Sequence, residues 1–421
     1  MKYYRFPETK LNKAVFVLFL LAMQLLSRTT MVTAVFLGFH SAQYLAIGLL
    51  GVAGIAFLWV NRKEWKQVFT DSRVAAAAGI AGLMLLGMVV KQDFQMLYFS
   101  ILLYILFAVF LTFFVSAREV ATCFVLLHTF LGICTLVGMF VLKPLVQAGL
   151  LPGNAFLSPG GWFMYNFGLT YTTYLNNMQA PALRAFGIFR EPGLYQIFLF
   201  IAIQLNNYTV QWKKPWHMWA VDGVLFATLL MTFATGGVFA LGLYTVFLFF
   251  DKKLYQNKWL CILAAAAVVA AIALVLTALA QGGTWAYELV GMVEKVFRKT
   301  ASYTERLDAI AADAEIFLGN PLFGEKISHV MYAVVNNTAT SPIVFAAFGI
   351  VGGCLHVLSW VALAWRKERS ILMNLVLLLI LFIPFNTQNM IHDMFFWLFP
   401  VMFLVERGLP ILTGLIEKRK V

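Results

Sequence analysis

Apolar residues run along this chain in blocks of about 15–25, parted by short polar stretches, with no sustained polar face of the kind a water-soluble helix keeps. The blocks fall at 14–36, 42–60, 74–91, 95–116, 120–142, 193–211, 218–234, 236–250, 259–280, 341–365, 370–389 and 394–416. A helix of about 20 residues crosses the hydrocarbon core of a bilayer, so the pattern predicts an all-α integral membrane protein with about twelve transmembrane helices. It reads as a single polytopic membrane domain over residues 1–421. Two gaps exceed ordinary connections, 143–192 and 281–340. The first is rich in Gly, Pro, Asn and aromatics, including Trp162, Phe163, Tyr165, Phe167, Tyr171 and Tyr174. Such rings suit interfacial anchoring, and they also suit stacking on sugar faces. In the second, Leu307, Ile310, Ala311, Ala314, Phe317 and Leu318 recur at helical spacing behind the capping pattern Ser302-Tyr-Thr-Glu305. They predict an amphipathic helix ended by Gly319-Asn320-Pro321, with Arg306 and Asp313 bordering its apolar stripe.

Composition agrees with the pattern: 62% of the 421 residues are hydrophobic and 12% charged, and mean hydropathy is +0.83. The net charge of +12 would suit nucleic acid, but its placement argues for topology instead. Lys2, Arg5, Lys10 and Lys13 precede the first block, and Arg62-Lys63, Arg118, Lys213-Lys214, Lys252-Lys253, Arg366-Lys367 and Lys418-Arg419-Lys420 fall on the same side. Both termini are therefore expected in the cytoplasm, and both long segments outside it. The first block lacks a small-residue cleavage site and reads as a span, not a signal peptide. Cys123, Cys134, Cys261 and Cys354 all lie in apolar blocks, so no disulfide and no zinc site are expected.

Charges at a membrane boundary need partners or a task. The stretch Arg184-Ala-Phe-Gly-Ile-Phe-Arg190-Glu191-Pro192-Gly193 brings two arginines and a glutamate to the start of a span. Arg184, Arg190 and Arg306 are candidates to grip a phosphate or pyrophosphate head group, the alternative being ion pairs with Glu191, Glu305 or Asp308. Glu191 is a candidate general base, or a salt-bridge partner of Arg190 or Arg184. His329 lies in the second long segment and His392 sits beside Asp393 in a short turn; either could act as base. Asn336 and Asn337 could orient a sugar hydroxyl or cap the following span. Thr235-Gly236-Gly237 forms a turn whose backbone N–H groups could make an anion nest. Arg28, inside the first block, is expected to snorkel to the interface.

Taken in order, these segments resemble the bacterial O-antigen polymerase and ligase superfamily over roughly the C-terminal 240 residues. Arg184-x-x-Gly187-x-Phe189-x-x-Pro192-Gly193 is similar to its first outer-loop signature. Arg306 with Asn320-Pro321-Leu322-Phe323-Gly324 resembles the second, and Asn336-Asn337-Thr338 with Phe348-Gly349-Ile350-Val351-Gly352-Gly353 the element that follows. The resemblance implies a multi-span glycosyltransferase of the bacterial inner membrane, active on its extracytoplasmic side, with an undecaprenyl-pyrophosphate-linked oligosaccharide as substrate. It implies no cofactor, a metal-independent reaction, membrane lipids around the bundle and a chain-length regulator as a further partner. The ligase branch carries a histidine where this chain has Asn336 or Asn337, and the Glu-Pro-Gly sequence is similar to polymerases of O-antigen, capsule or exopolysaccharide. Polymerase is therefore the favoured expectation, with ligase second. A lipid-glycan flippase is third, because a transporter needs charges midway along its spans and this chain is nearly bare there.

Overall fold

The structure is a computed structural model, and it describes residues 10–60, 71–175, 182–297, 301–333 and 337–408. It is mostly helical. The helices are α1 (Lys10–Leu25), α2 (Phe39–Val60), α3 (Ser72–Lys91), α4 (Met96–Leu111), α5 (Ala117–Val137), α6 (Lys143–Gln147), α7 (Pro192–Tyr208), α8 (Pro215–Met231), α9 (Thr235–Asp251), α10 (Lys258–Gln281), α11 (Gly283–Phe297), α12 (Ala301–Gly319), α13 (Ile327–Tyr332), α14 (Thr340–Ala364), α15 (Ile371–Phe385) and α16 (Met394–Phe403). Their starts follow local chemistry: Ser116 and Glu119 form a capping box on α5, Asp71 caps α3, and Pro192 and Pro215 occupy first turns where no N–H is needed.

Five stretches among the described residues are long and apolar enough to cross a membrane: Phe39–Ala56, Ser72–Lys91, Ala117–Gln147, Lys258–Thr277 and Thr340–Ala364. Shorter apolar helices accompany them at Ala14–Leu25, Met96–Leu111, Thr235–Asp251 and Ile371–Phe385. These mark a membrane protein. Two of the expected spans have a different character. Every residue of α16 is buried, and nearly every residue of α7. A helix apolar all round can sit in lipid or in the middle of a bundle; these two form the centre. Aromatic rings fill the space around them, Phe124 meeting Phe399 at 4.6 Å and Trp360 meeting Phe385 at 4.4 Å.

The all-α expectation needs one correction. Four short strands form an antiparallel sheet, β1 (Ala155–Leu157), β2 (Phe163–Asn166), β3 (Tyr171–Leu175) and β4 (Ala185–Gly187), in sequential order. The aromatics expected at a membrane surface largely pack on one another here. Tyr171 is buried, Trp162 meets Phe186 edge-on, and Tyr165 stacks on Tyr174 at 4.4 Å. Such cross-strand pairs are what hold a small sheet together.

The second long segment holds α11, α12 and α13. The expected amphipathic helix is α12, ending at Gly319 as its Gly-Asn-Pro stop requires. Ser302 falls inside its first turn, and residues 298–300 before it lie outside the described residues. The turn after α12 lodges in a break of α14, where Gly349 takes φ 62°. Ile350 N–H donates to the Pro321 carbonyl at 2.7 Å, and Glu325 N–H to that of Ala346 at 2.8 Å. A side chain at Gly324 would place its Cβ 2.6 Å from the Ala346 oxygen, and one at Gly349 would strike Leu322. Glycine is needed on both sides of this joint, so the two motifs Asn320–Gly324 and Phe348–Gly353 are one contact.

Candidate functional site

The first apolar block does not continue as a helix. α1 stops at Leu25, and residues 26–31 cross the gap to a π-helical turn at Val32–Leu37. That break pairs with the approach to α7: Met31 N–H donates to the Ile188 carbonyl at 2.8 Å, and Arg190 N–H to that of Thr29 at 3.0 Å. The backbone pairing sets Arg28 beside Arg190. Both guanidinium groups lie over the ring of Phe39, 5.0 and 5.6 Å from its centre. No carboxylate among the described residues pairs with either, and Arg190 Nε is buried without a hydrogen-bond partner. Arg28 therefore faces His392 across the break instead of snorkelling. Its Nη1 stands 3.1 Å from His392 Nδ1.

A guanidinium can only donate, so His392 Nδ1 accepts and its proton sits on Nε2. Burial, then the charges of Arg28 and Arg190, push the His392 pKa down to about 3. With its Nδ1 lone pair engaged by Arg28 and a proton on Nε2, His392 presents a donor and no free acceptor nitrogen. Its neighbour Asp393 is wholly buried, accepting from Ser27 Oγ, from Thr29 Oγ1 at 3.0 Å and from Phe395 N–H at 2.8 Å. It ties the α1 break to the start of α16.

The turn 386–393 gathers other helix starts. Gln196 of α7 donates to Thr387 Oγ1 at 3.0 Å and accepts from Gly237 N–H at the start of α9. A Cβ on Gly237 would collide with that glutamine, which explains the glycine without invoking an anion nest. Met390 N–H donates to Thr340 Oγ1 at the start of α14, at 2.9 Å. The N-terminal ends of α7, α9, α14 and α16 thus gather around the turn 386–393, whose His392 meets Arg28. Helix N-termini carry partial positive charge, and two unneutralised guanidinium groups add to it. The arrangement is suited to a multiply charged anion.

The remaining candidates separate. Arg184, at the edge of β4, puts Nε and Nη2 each 2.7 Å from one oxygen of Glu288 on α11. Glu288 is 1% exposed, so the two long segments do meet, but there Arg184 is neutralised. Glu191 caps α7 only by backbone; its half-buried side chain makes no hydrogen bond or ion pair among the described residues. Arg306 is half-buried on α12 without an ion pair, and no contact among the described residues joins it to Arg184 or Arg190; burial lowers its pKa. His329 is exposed on α13. Asn336 lies outside the described residues. Asn337 is buried and donates to Asp313 Oδ1 at 2.9 Å, so it holds a carboxylate of α12. Burial pushes Asp313 up to about 7.

Sequence reasoning missed Arg28 as Arg190's neighbour; its signal was a charge inside an apolar block. Compared with family models, with curated proteins and with solved structures, the chain finds no match.

Proposed function

We propose that this chain is a glycosyltransferase that polymerises undecaprenyl-pyrophosphate-linked oligosaccharide repeats on the outer face of the bacterial cytoplasmic membrane. The twelve-span layout, with segments 143–192 and 281–340 outside, belongs to the same reading. The observation that carries it is the pair Arg28 and Arg190, two guanidinium groups over one ring with no carboxylate paired to either among the described residues. Lipid-linked sugar transfer needs such a centre. The acceptor hydroxyl attacks the anomeric carbon, the bond to the phosphate oxygen breaks, and negative charge grows on the departing diphosphate. Preorganised donors aimed at that charge lower the barrier, each being worth about 10²–10³ in rate. Arg28, Arg190 and the Nε2–H of His392 supply donors of this kind, and the convergent helix starts add to the field. Glu191, next to Arg190 and without a hydrogen-bond or ion-pair partner among the described residues, is our candidate to take the acceptor proton. Arg184 serves by holding segment 143–192 to α11, and Arg306 and His329 stand as further contacts to the glycan.

The test is reconstitution of the full chain in liposomes with lipid-linked repeat units, reading products by gel ladder. A ladder of lengthened lipid-linked glycans is expected. Transfer only when a lipid-core acceptor is added would make the protein a ligase, and movement of repeats across the bilayer without lengthening would make it a flippase.

A further inference from the structure

On the flank of the bundle, α3, α4 and α14 enclose an apolar groove of about 340 Å³, lined by Leu83, Ile101, Ile105, Leu358, Phe323 and Trp397 among others. On α3 it runs from Ile80 to Lys91 and on α14 from Phe348 to Leu358. At 1.5 Å per residue that is about 15 Å, half of a hydrocarbon core some 30 Å thick. The groove is thus one leaflet deep. It has a polar end, where Lys91 Nζ donates to Tyr98 Oη at 2.9 Å and to the Ala347 carbonyl at 2.6 Å. An ammonium has three N–H groups, so one is left over. Asp93 and Glu325 flank the lysine, but neither is within ion-pair distance. Asp93 accepts from Ile327 N–H at 2.9 Å, and Glu325 from Asn320 Nδ2 and Lys326 N–H at 2.9 and 2.8 Å.

The groove and the arginine centre both adjoin α16. Ile101 and Ile105 of α4 line the groove, and α4 packs against α16, whose start follows His392. Trp397, in the groove wall, donates its indole N–H at 3.1 Å to the carbonyl of Ile391, the residue before His392. Lengthening a lipid-linked glycan needs two lipid-anchored substrates at once, one losing its diphosphate and one keeping it. We propose that this groove seats the single apolar chain of the second one, a polyprenyl phosphate-type acceptor, with its head group at Lys91. The apolar lining and one-leaflet depth suit an apolar chain, and the glycosyltransferase reading supplies the identity of that chain.

The experiment is photolabelling of the purified full chain with a polyprenyl phosphate carrying a diazirine in its chain, followed by peptide mapping. Label is expected within 80–91 and 348–358. Leu355→Trp and Leu83→Trp, which fill the groove, should each lower that label about tenfold, a binding loss of about 1.4 kcal/mol. Both variants are compared at wild-type melting temperature, and Leu358→Phe at the exposed rim replaces either that fails to fold. Lys91→Gln should weaken labelling, and Lys91→Arg should restore it. Undiminished label in the filled variants overturns the assignment, as does equal labelling by a diazirine phosphatidylglycerol. Labelling needs no turnover, so a labelled groove in a protein that makes no polymer would sink the glycosyltransferase reading alone. Wild-type polymer from a filled variant would sink only the lipid seat.

Discussion

Arg184 and Arg190 stand six residues apart in one short stretch, yet the fold gives them opposite electrostatic surroundings. Arg184 meets Glu288, a carboxylate 1% exposed, with two nitrogens on one oxygen. Arg190 meets another arginine over a shared ring. A buried pair satisfies itself and has little reason to bind anything else. Two like charges side by side raise each other's energy, and backbone pairing at residues 29–31 and 188–190, the Phe39 ring and His392 hold them together. An anion arriving there is drawn in by both. The lesson is that counting arginines in a loop says less about function than asking which of them the fold leaves unneutralised.

The largest expected effect tests the neutralised member. Arg184→Ala strands the Glu288 carboxylate in the interior, which should cost about 3–5 kcal/mol of stability. Thermal unfolding of the purified protein reads this directly. The double variant Arg184→Met with Glu288→Leu should recover most of the loss, since replacing both charges removes the stranded one. An Arg184→Ala protein that melts like wild type would show that the ion pair carries no weight, and the contrast with Arg190 would collapse.

Next comes the unneutralised pair. Arg28→Ala and Arg190→Ala should each reduce polymer formation by about 10²–10³ while leaving the melting temperature unchanged or slightly higher. Relief of like-charge repulsion accounts for the second half. Because the two groups act on one anion, the double variant should lose less than the product of the single losses. A drop in melting temperature matching that of Arg184→Ala would reclassify both as structural.

How much of this was legible beforehand depends on which physical signal each feature leaves. Long apolar blocks announce helices because a bilayer crossing demands them, and α3, α10 and α14 lie close to where hydropathy places them. The break after Leu25 leaves only a short trace, since Ser27-Arg28-Thr29-Thr30 is a polar run too brief to divide an apolar block that hydropathy averages over about 20 residues. Hydropathy reports solvent preference and not φ and ψ. Strands of three to five residues such as β1 to β4 are shorter than any periodicity can resolve. The meeting of Arg28 with Arg190 and of Arg184 with Glu288 is a matter of tertiary pairing between distant segments, which local pattern cannot encode. The motifs Asn320–Gly324 and Phe348–Gly353 were visible singly; that each glycine exists to admit the other segment emerges only from the joint.

A smaller effect separates the binding centre from the support behind it. Asp313 has its pKa raised by burial to about 7, above the ordinary 3.8. The folded protein then holds a proton that the unfolded chain has lost between those values, so Asp313's contribution is fully present below pH 3.8 and is lost as pH rises through 7. Asp313→Asn should flatten this upper limb and raise the melting temperature at pH 8. A melting profile identical to wild type across that range would mean that Asp313 stays ionised at neutral pH.

The smallest effect has the reverse sign and belongs to the arginine centre. His392 lies half-buried with two cations beside it, and its pKa is held at about 3 against an ordinary 6.5. Between those values the unfolded chain binds the proton and the folded one does not, so stability is full above pH 6.5 and declines as pH falls towards 3. His392→Gln keeps an acceptor for Arg28 and removes the titration, so its melting temperature should fall less steeply than wild type from pH 6.5 to 4. The slope difference should itself shrink when inorganic pyrophosphate is added. An anion seated between Arg28 and Arg190 screens their charges from the imidazole and makes protonation easier. A slope indifferent to pyrophosphate would mean that the anion does not reach the arginines, and the proposed distinction between the two arginine environments would lose its functional half.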